Sequence, residues 1–484
     1  MQKKSPKLLI PLLIASGIMI MFSGMINNVA VFAWLWPGCM LYFTRHTAKR
    51  WLPVAWLVYV AAFSVFNYDP LNTGSFAITV AFNSLMVLIC FLPFVADRFL
   101  QERLPGAVST LIFPLGIAAE EFLFSLTHVS VMNNLAYTQV GNAELIQSAS
   151  VIGTYGLSAL IAACASVAVY CIDAKFEWRV IRRPACIYLA LLLLANIYGG
   201  FRMAFETDLS ETVKVALANG PVIDVLENGE WEVASYEENL SILTEAFEQA
   251  ADSRAELIAF NEEGFTIADV EEASFTEEIR ALVMQTGMAA MVPLEVYDTD
   301  GDTDELSWNK LIYMDTEGNI LVDYEKTMLV PVIETSYYIE GDGELPCVTT
   351  EIGGKTVKLA MDVCYDGDFP SYIRTMDSDV DIWFEPCWEW EPVNQSHTNG
   401  HIFRCIENGV NMIKPTYLGY SVVADYKGSV LAKSGEVARD VLIADVPVNG
   451  VTTVYGTIGC VLDWVYVAGF VAVALAALLK KRAR

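Results

Sequence analysis

The sequence predicts two unlike parts: a multi-pass α-helical membrane domain of about eight spans and an α/β sandwich domain. The first observation is that 54% of the 484 residues are hydrophobic, although the formal net charge is -28. A large apolar excess and a strongly acidic surface suit different solvents, so we expect them in separate parts of the chain. The second observation is that residues 202–450 contain 49 acidic and 14 basic residues, whereas the remainder has a net charge of +7.

Eight apolar runs have the length of about 20 residues that a bilayer core requires. They lie at about 7–25, 27–44, 52–66, 77–95, 107–124, 149–172, 184–201 and 452–478. The first run is interpreted as a retained helix, because more spans follow at once and no small-residue cleavage pattern stands out. The predicted domains are a seven-helix transmembrane domain at 1–201, an α/β domain at 202–450, and a last transmembrane helix with a basic tail at 451–484.

Basic clusters border the predicted spans on one side only. They precede span one and follow spans two, four, six and eight. The positive-inside rule makes that side cytoplasmic. We therefore expect a cell-membrane protein with both termini in the cytoplasm and the acidic domain on the extracytoplasmic side. Nucleic acid is not an expected partner, because it would be repelled by this acidic domain.

Strands and helices alternate within the acidic block, with hairpins inserted between them. Strands are predicted at 213–218, 257–260, 288–297, 308–314, 320–324, 347–352, 381–384, 412–416, 420–425 and 441–446, and in a run that ends at 364. Helices are predicted at 236–252, 275–286 and 396–408, and from about 368. This order is typical of an α/β or α+β sandwich.

Cys364 stands at the end of an alternating apolar run, where Asp, Gly and Pro then break the strand. Such a thiol is either a small core residue or a nucleophile. Glu262 and Lys326 also directly follow predicted strands. A thiol reacts as the thiolate, so a carboxylate in a water-poor pocket can serve as its base, and an ammonium can stabilise an oxyanion.

Three blocks around these residues, in the order Glu, Lys, Cys, resemble the signature blocks of the nitrilase superfamily. The blocks are Glu256-Leu-Ile-Ala-Phe-Asn-Glu262, Tyr324-Glu-Lys326-Thr-Met-Leu-Val-Pro331 and Val363-Cys364-Tyr365-Asp366. The spans on both sides of the domain, together with Gln395-Ser-His397 and Arg404-Cys-Ile-Glu407, resemble the apolipoprotein N-acyltransferase branch. Departures from the usual pattern of that branch occur at Asn261, Asp366, Cys387 and Tyr417.

The resemblance implies a nitrilase-like αββα sandwich and a fatty acyl transferase. Glu262 would be the general base, Lys326 the oxyanion stabiliser, and Cys364 the nucleophile that forms a thioester. The acyl donor would be a membrane phospholipid, and the acceptor the N-terminal amine of a diacylglyceryl-cysteine lipoprotein. The implied supporting residues are Glu334, Tyr365 and Asp366. No cofactor is expected, and we expect a monomer.

Trp388 and Trp390 belong to an aromatic cluster that follows a predicted strand. This cluster is either core packing or a lid that rests on lipid, because Trp prefers the membrane interface. His397 is grouped with them as a possible substrate contact.

His397 and His401 have the spacing of two metal ligands on a helix. No metal is expected, because no Glu follows His397, Gly400 weakens the helix and no third ligand is evident. The ten cysteines are too few and scattered for a disulfide framework, although a bridge among Cys347, Cys387 and Cys405 remains open.

Two other functions remain open. A membrane-tethered amidase that hydrolyses a small C–N substrate would keep the same fold, but a tether requires only one span and seven precede the domain. A catalytically silent scaffold for lipoproteins is disfavoured, because such a protein would be expected to lose at least one of Glu262, Lys326 and Cys364.

Overall fold

The computed structural model describes the chain except for residues 1–3, 25–26, 69, 71–73, 131–133, 222–223, 226–230, 300–305, 391–392, 436–440 and 481–484. Lys3 and most of the predicted basic tail, at 481–484, therefore lie outside the described residues.

The described N-terminal part consists mainly of helices. Its α-helices are α1 (Pro6–Met21), α2 (Ala30–His46), α3 (Leu52–Phe66), α4 (Phe76–Cys90), α5 (Leu92–Leu100), α6 (Ile112–Ser125), α7 (Ala143–Ile146), α8 (Ala149–Asp173) and α9 (Trp178–Met203). Another long helix, at Val454–Leu479, follows the α/β domain. Each of the eight predicted spans is at least partly helical.

Five helical segments of the described chain are long and apolar enough to cross a membrane. They are Phe76–Arg103, Gly106–Ser125, Ala149–Asp173, Trp178–Met203 and Val454–Leu479. Helices α1, α2 and α3 are shorter, with 16, 17 and 15 residues. These apolar helices fit a membrane-embedded domain, and the count of eight spans stays a prediction.

The domain between these helical parts contains two main sheets. Its strands are β1 (Thr212–Ala218), β2 (Asp224–Val225), β3 (Trp231–Glu232), β4 (Leu257–Phe260), β5 (Phe265–Ala268), β6 (Ala289–Tyr297), β7 (Ser307–Met314), β8 (Ile320–Glu325), β9 (Cys347–Ile352), β10 (Lys355–Met361), β11 (Ile382–Phe384), β12 (Cys387–Trp388), β13 (Asn411–Lys414), β14 (Thr416–Tyr417), β15 (Val422–Ala424), β16 (Val430–Lys433) and β17 (Leu442–Pro447). Its helices are α10 (Tyr236–Asp252), α11 (Asp269–Thr286), α12 (Pro370–Ile373) and α13 (Asn394–Asn408), before α14 (Val454–Leu479).

The larger sheet has the strand order β17-β1-β4-β6-β7-β8, with β5 beside β6, and the smaller has β16-β15-β13-β11-β10-β9. Successive side chains of a strand point to opposite faces. In β1, Val213 and Val215 therefore join the core between the two sheets, while Ala216 joins the core beneath α10 and α11. The smaller sheet packs through α13 against the membrane helices, as Phe403 shows. The layers are helix, sheet, sheet, helix, so the predicted αββα sandwich is confirmed.

Several element boundaries differ from the predictions. The strand expected to reach Cys364 ends at Met361, because its ladder with β11 stops at the pair Met361 and Phe384. Cys364 instead begins a 3₁₀ turn at Cys364–Asp368, and the helix expected from about 368 is the short α12. Helix α11 begins at Asp269, six residues earlier than predicted, where Glu271 accepts a hydrogen bond from the backbone N–H before the helix. Strands β2, β3, β5, β12 and β16 were not predicted.

Polar contacts attach the helical part to the sandwich. The backbone N–H of Ser130 donates to the Tyr365 hydroxyl at 2.9 Å. On α8, the backbone N–H and hydroxyl of Thr154 both donate to Glu407 Oε1 at 2.7 Å. Buried hydrogen bonds of this kind need specific geometry, so they hold the α/β domain in one orientation over the helices.

Candidate active site

A buried ion cluster centres on Lys326. Its Nζ donates to Glu262 Oε1 at 2.7 Å and to Glu334 Oε1 at 2.6 Å, and the lysine side chain is 0% exposed. Asn309 Nδ2 donates to Glu262 Oε1 at 2.9 Å, and the backbone N–H of Trp388 donates to Glu262 Oε2 at 2.8 Å. We call Glu262, Asn309, Lys326 and Glu334 the lysine cluster.

The strand ends of the larger sheet position this cluster. Glu262 follows the end of β4 by two residues, and Lys326 follows β8 directly. The backbone N–H of Lys326 donates to Asn309 O at 2.9 Å, which continues the pairing of β7 with β8. Burial opposes the charge on Lys326, but Glu262 and Glu334 hold the pKa of the ammonium well above its usual value. The lysine is therefore protonated.

Cys364 lies opposite this cluster, on the turn after β10. Its φ of +53° is in the left-handed region, a conformation that costs a residue with a side chain about 1–3 kcal/mol and is concentrated at functional sites. Its backbone N–H donates to Pro386 O at 2.9 Å, and its Sγ lies 3.8 Å from Trp388 O. The backbone of Trp388 therefore contacts both the thiol and the Glu262 carboxylate.

Burial raises the pKa of the Cys364 thiol well above its usual value. The neighbouring Cys387 and the negative charge of Glu262 raise it further, whereas Lys326 acts in the opposite direction. The resting group is therefore a thiol, which requires a base when it reacts.

The residues after Cys364 stabilise its turn. Asp366 Oδ2 accepts hydrogen bonds from the Val363 N–H at 3.0 Å and the Tyr324 hydroxyl at 2.8 Å, and Oδ1 accepts from the Met328 N–H at 2.5 Å. Asp366 thus ties the turn that carries Cys364 to the segment that follows Lys326. Tyr365 instead contacts the helical part, where it accepts the hydrogen bond from Ser130.

An open cavity, whose empty space is about 1010 Å³ when the part open to solvent is included, connects Cys364 with the membrane helices. Its wall is largely apolar. Side chains from α3, α4 and α6 line one side: Phe63, Phe82, Met86, Cys90 and Phe124. The predicted contact residues Trp388, Trp390 and His397 line the same cavity as Cys364 and Glu334.

A second buried polar cluster lies at the ends of β10 and β11. It comprises Asp362, Glu385, Cys387 and His401, which are all 0% exposed, and we call it the histidine cluster. His401 Nε2 lies 3.4 Å from Glu385 Oε1, and Cys387 Sγ lies 3.7 Å from the same oxygen. Neither ring nitrogen of His401 has a hydrogen-bond partner among the described residues.

Burial sets the protonation states in the histidine cluster. It lowers the pKa of His401 well below its usual value, so the imidazole is neutral. Burial also raises the pKa of Glu385 well above normal and that of Asp362 to about 7. Burial likewise raises the pKa of Cys387, to about 12.

His397 lies one turn before His401 on α13, and its closest polar contact is outside the histidine cluster. Its Nδ1 lies 2.9 Å from Glu389 Oε1, which also accepts from Lys414 Nζ at 2.6 Å. Burial would lower the pKa of His397, but Asp368 and Glu389 raise it to about 9.

The sequence analysis did not predict Asn309, the histidine cluster, or Asp368 and Glu389 as partners of His397. For Asn309 a signal was available, since Asn is depleted in strands and this one occupies a buried strand position. The bridge left open among Cys347, Cys387 and Cys405 does not form, because all ten cysteines are free thiols.

Comparison with known proteins identifies the class of fold. Residues 214–455, half of the chain, match the carbon-nitrogen hydrolase family model. The chain therefore belongs to the carbon-nitrogen hydrolase family, the nitrilase superfamily indicated by its three signature blocks. The solved structure of an amidase from Nesterenkonia sp. aligns with 49% of this chain and 91% of the amidase, at 19% identity and a TM-score of 0.40.

The helical part narrows the classification within that family. Residues 16–167 match the model of the apolipoprotein N-acyltransferase N-terminal domain. An apolipoprotein N-acyltransferase of Geobacter metallireducens is 24% identical over 511 residues, which cover 97% of this chain and 95% of the relative. Another, of Bradyrhizobium diazoefficiens, is 24% identical and aligns with 73% of this chain and 69% of the relative. The chain is thus an apolipoprotein N-acyltransferase-like member of the superfamily.

Proposed function

We propose that this protein transfers a fatty acyl chain from a membrane phospholipid to the N-terminal amine of a diacylglyceryl-cysteine lipoprotein. The observation that carries the proposal is the apolar cavity, because it joins Cys364 to side chains of α3, α4 and α6. A site for a small soluble amide has no need for a wall built from membrane helices. The relatives that match both halves of the chain carry the same activity in their names.

The first step would place the acyl chain on sulfur. As Cys364 Sγ attacks the ester carbonyl of the phospholipid, Glu262 would take the thiol proton. The carbonyl oxygen becomes negatively charged, and the buried ammonium of Lys326 would stabilise it. When the ester C–O bond breaks, Glu262 returns the proton to the leaving oxygen, so a lysophospholipid departs and a thioester remains.

In the second step, Glu262 would again act first as a base and then as an acid. The lipoprotein amine attacks the thioester carbonyl, and Glu262 takes a proton from the amine nitrogen. The C–S bond breaks, the proton returns to the sulfur of Cys364, and the amide product leaves. Glu334 would keep Lys326 oriented through both steps, because the two side chains are 2.6 Å apart.

We further propose the arrangement of the protein in the membrane. Eight helices would cross the bilayer, with domain limits at 1–201, 202–450 and 451–484. The catalytic domain would lie on the extracytoplasmic side and both termini in the cytoplasm, because the basic clusters flank the spans on one side. Labelling of cysteines introduced at Thr207 and Ser5 with a membrane-impermeant thiol reagent tests this arrangement. In intact cells we expect labelling at 207 only, and labelling at 5 would contradict the proposal.

The reaction class is tested by intact-mass analysis of the purified full chain mixed with phospholipid. The proposal predicts a fatty acyl adduct that hydroxylamine removes and that Cys364→Ala abolishes. Cys347→Ala is a matched control, since this cysteine is half-buried and does not line the cavity, and it should keep the adduct. Cleavage of a short amide without any acyl adduct would instead favour the membrane-tethered amidase.

A further inference from the structure

The histidine cluster contains three donor groups of the kinds that bind zinc. One donor atom from each of Glu385, Cys387 and His401 lies within 4.8 Å of the other two. The three residues come from the segment after β11 and from α13, so the fold, and no local motif, brings them together. Zinc is typically bound by thiolate, imidazole and carboxylate in tetrahedral geometry.

The distances match such a site. Bonds from zinc of about 2.0–2.3 Å separate tetrahedral donors by about 3.3–3.6 Å. His401 Nε2 and Glu385 Oε1 are 3.4 Å apart, and Cys387 Sγ and Glu385 Oε1 are 3.7 Å apart.

Two independent features indicate that a cation belongs between these donors. His401 is fully buried, and neither of its nitrogens has a hydrogen-bond partner among the described residues, although a buried polar group is normally satisfied. Gly367 leaves open the space beside the donors, since a Cβ there would lie 2.6 Å from Glu385 Oε1 and 2.7 Å from His401 Nε2. A side chain at this position would occupy the space that the cation requires.

Charge balance also favours a divalent cation between these donors. A carboxylate and a thiolate together neutralise a divalent cation, and a neutral imidazole adds no charge, so the loaded site would be uncharged in a place without solvent. Asp362, a fully buried carboxyl group that accepts a hydrogen bond from Trp383 Nε1 at 2.8 Å, lies in the same cluster.

We propose that Glu385, Cys387 and His401 bind one zinc ion. The reason for not expecting zinc, that His397 and His401 lack a third ligand, does not hold in the fold. His397 turns to Glu389, whereas His401 lies beside Glu385 and Cys387. The ion would link α13 to the segment after β11. It would be acquired as the chain folds, because its ligands are fully buried.

The test measures bound metal in the full chain, purified in detergent with a histidine-free tag from zinc-supplemented medium and washed with a mild chelator. We expect about one zinc per chain by mass spectrometry of the metal. Cys387→Ser removes a ligand and Gly367→Ala fills the space, so each should reduce the content to less than about a tenth. Cys364→Ser and Cys405→Ser are matched controls on neighbouring buried thiols and should keep the zinc.

X-ray absorption of the zinc in the unmodified protein decides the ligand set even when a variant does not fold. The proposal predicts one sulfur neighbour, with nitrogen and oxygen completing the shell. Absence of zinc from the unmodified protein, unchanged zinc in Cys387→Ser, or a shell with no sulfur or with two would overturn it. The outcome does not depend on the proposed acyl transfer, because none of these measurements uses enzyme activity.

Discussion

The two buried polar clusters beside Cys364 differ in how completely their groups are paired. In the lysine cluster, every carboxylate oxygen of Glu262 and Glu334 accepts a hydrogen bond, and Lys326 donates to both residues. In the histidine cluster, His401 makes no hydrogen bond among the described residues. Both clusters are removed from solvent, so burial alone does not explain the difference.

The contrast indicates two different roles. Fully paired charges in a dry site are already oriented, which suits proton transfer and oxyanion stabilisation at fixed positions. Unpaired donors that face a common space suit an added cation. The Cys364 thiol lies between the two clusters. The lysine cluster would act on the reactivity of this thiol, and the histidine cluster on its position.

The largest expected effect is at the proposed base. Glu262→Gln keeps the size of the side chain but cannot accept the thiol proton, so the rate of acyl transfer should fall about 10²–10⁴-fold. Transfer from phospholipid to a diacylglyceryl-cysteine peptide measures it. Glu263→Gln is the matched control, because Glu263 neighbours the base but does not pair with Lys326, and it should keep most of the rate. Equal losses of transfer rate in both variants would contradict the assignment of Glu262, and not Glu263, as the base.

The next effect is on stability. Lys326→Met leaves two buried carboxylates without their cation, which should cost about 3–5 kcal/mol of unfolding free energy. Lys358→Met is the control, since Lys358 pairs with the largely exposed Asp377 and Asp379 on the surface, where such pairs contribute about 0–1 kcal/mol. Thermal unfolding of both variants in detergent compares them, and a similar fall in the midpoint would contradict the account of the lysine cluster.

The third prediction concerns the pH dependence of Cys364. Because burial raises the pKa of this thiol well above normal, the thiolate fraction should increase about tenfold per pH unit from pH 7 to 9, without a plateau. Alkylation by iodoacetamide, read at Cys364 by mass spectrometry, follows that fraction. Glu262→Gln removes a negative charge that raises the pKa, so its profile should move to lower pH. A plateau below pH 8 in the unmodified protein would show that the thiol is ionised more easily than its burial implies.

The smallest effect is expected in the histidine cluster of zinc-free protein. His401→Leu removes an imidazole without hydrogen bonds, and replacing unpaired polar groups with apolar ones is often nearly neutral. Its unfolding midpoint should change far less than that of Lys326→Met. In zinc-loaded protein the same substitution should lower the midpoint, and a large loss in zinc-free protein would mean that His401 is stabilised by protein contacts.

Much of the sandwich was predictable, because strand and helix periodicities are strong in the acidic block. Helix α10 and strand β4 have the predicted limits, since each is a short, regular apolar pattern. The left-handed conformation of Cys364 was not predictable, because it depends on the hydrogen bond from its N–H to Pro386.

Some of the site residues were likewise predictable from the sequence, and others were not. Glu262, Lys326 and Cys364 were proposed from local blocks. The fold pairs Lys326 with Glu262, and the backbone of Trp388 contacts both Glu262 and Cys364. The histidine cluster leaves no local signal, because Glu385 and His401 are 16 positions apart and meet only when β11 and α13 pack together. Sequence spacing suggested His397 and His401 as a pair, and their ring centroids lie 4.2 Å apart, but His397 contacts Glu389 whereas His401 lies beside Glu385.

The most direct test of the proposed reaction is a single-turnover chase. Acyl-loaded enzyme, freed of excess phospholipid, is mixed with a diacylglyceryl-cysteine peptide, and both molecules are weighed over time. The account predicts that the fatty acyl mass leaves Cys364 and appears on the peptide amine at the same rate. Release of the chain as free fatty acid, with the peptide unchanged, would contradict it.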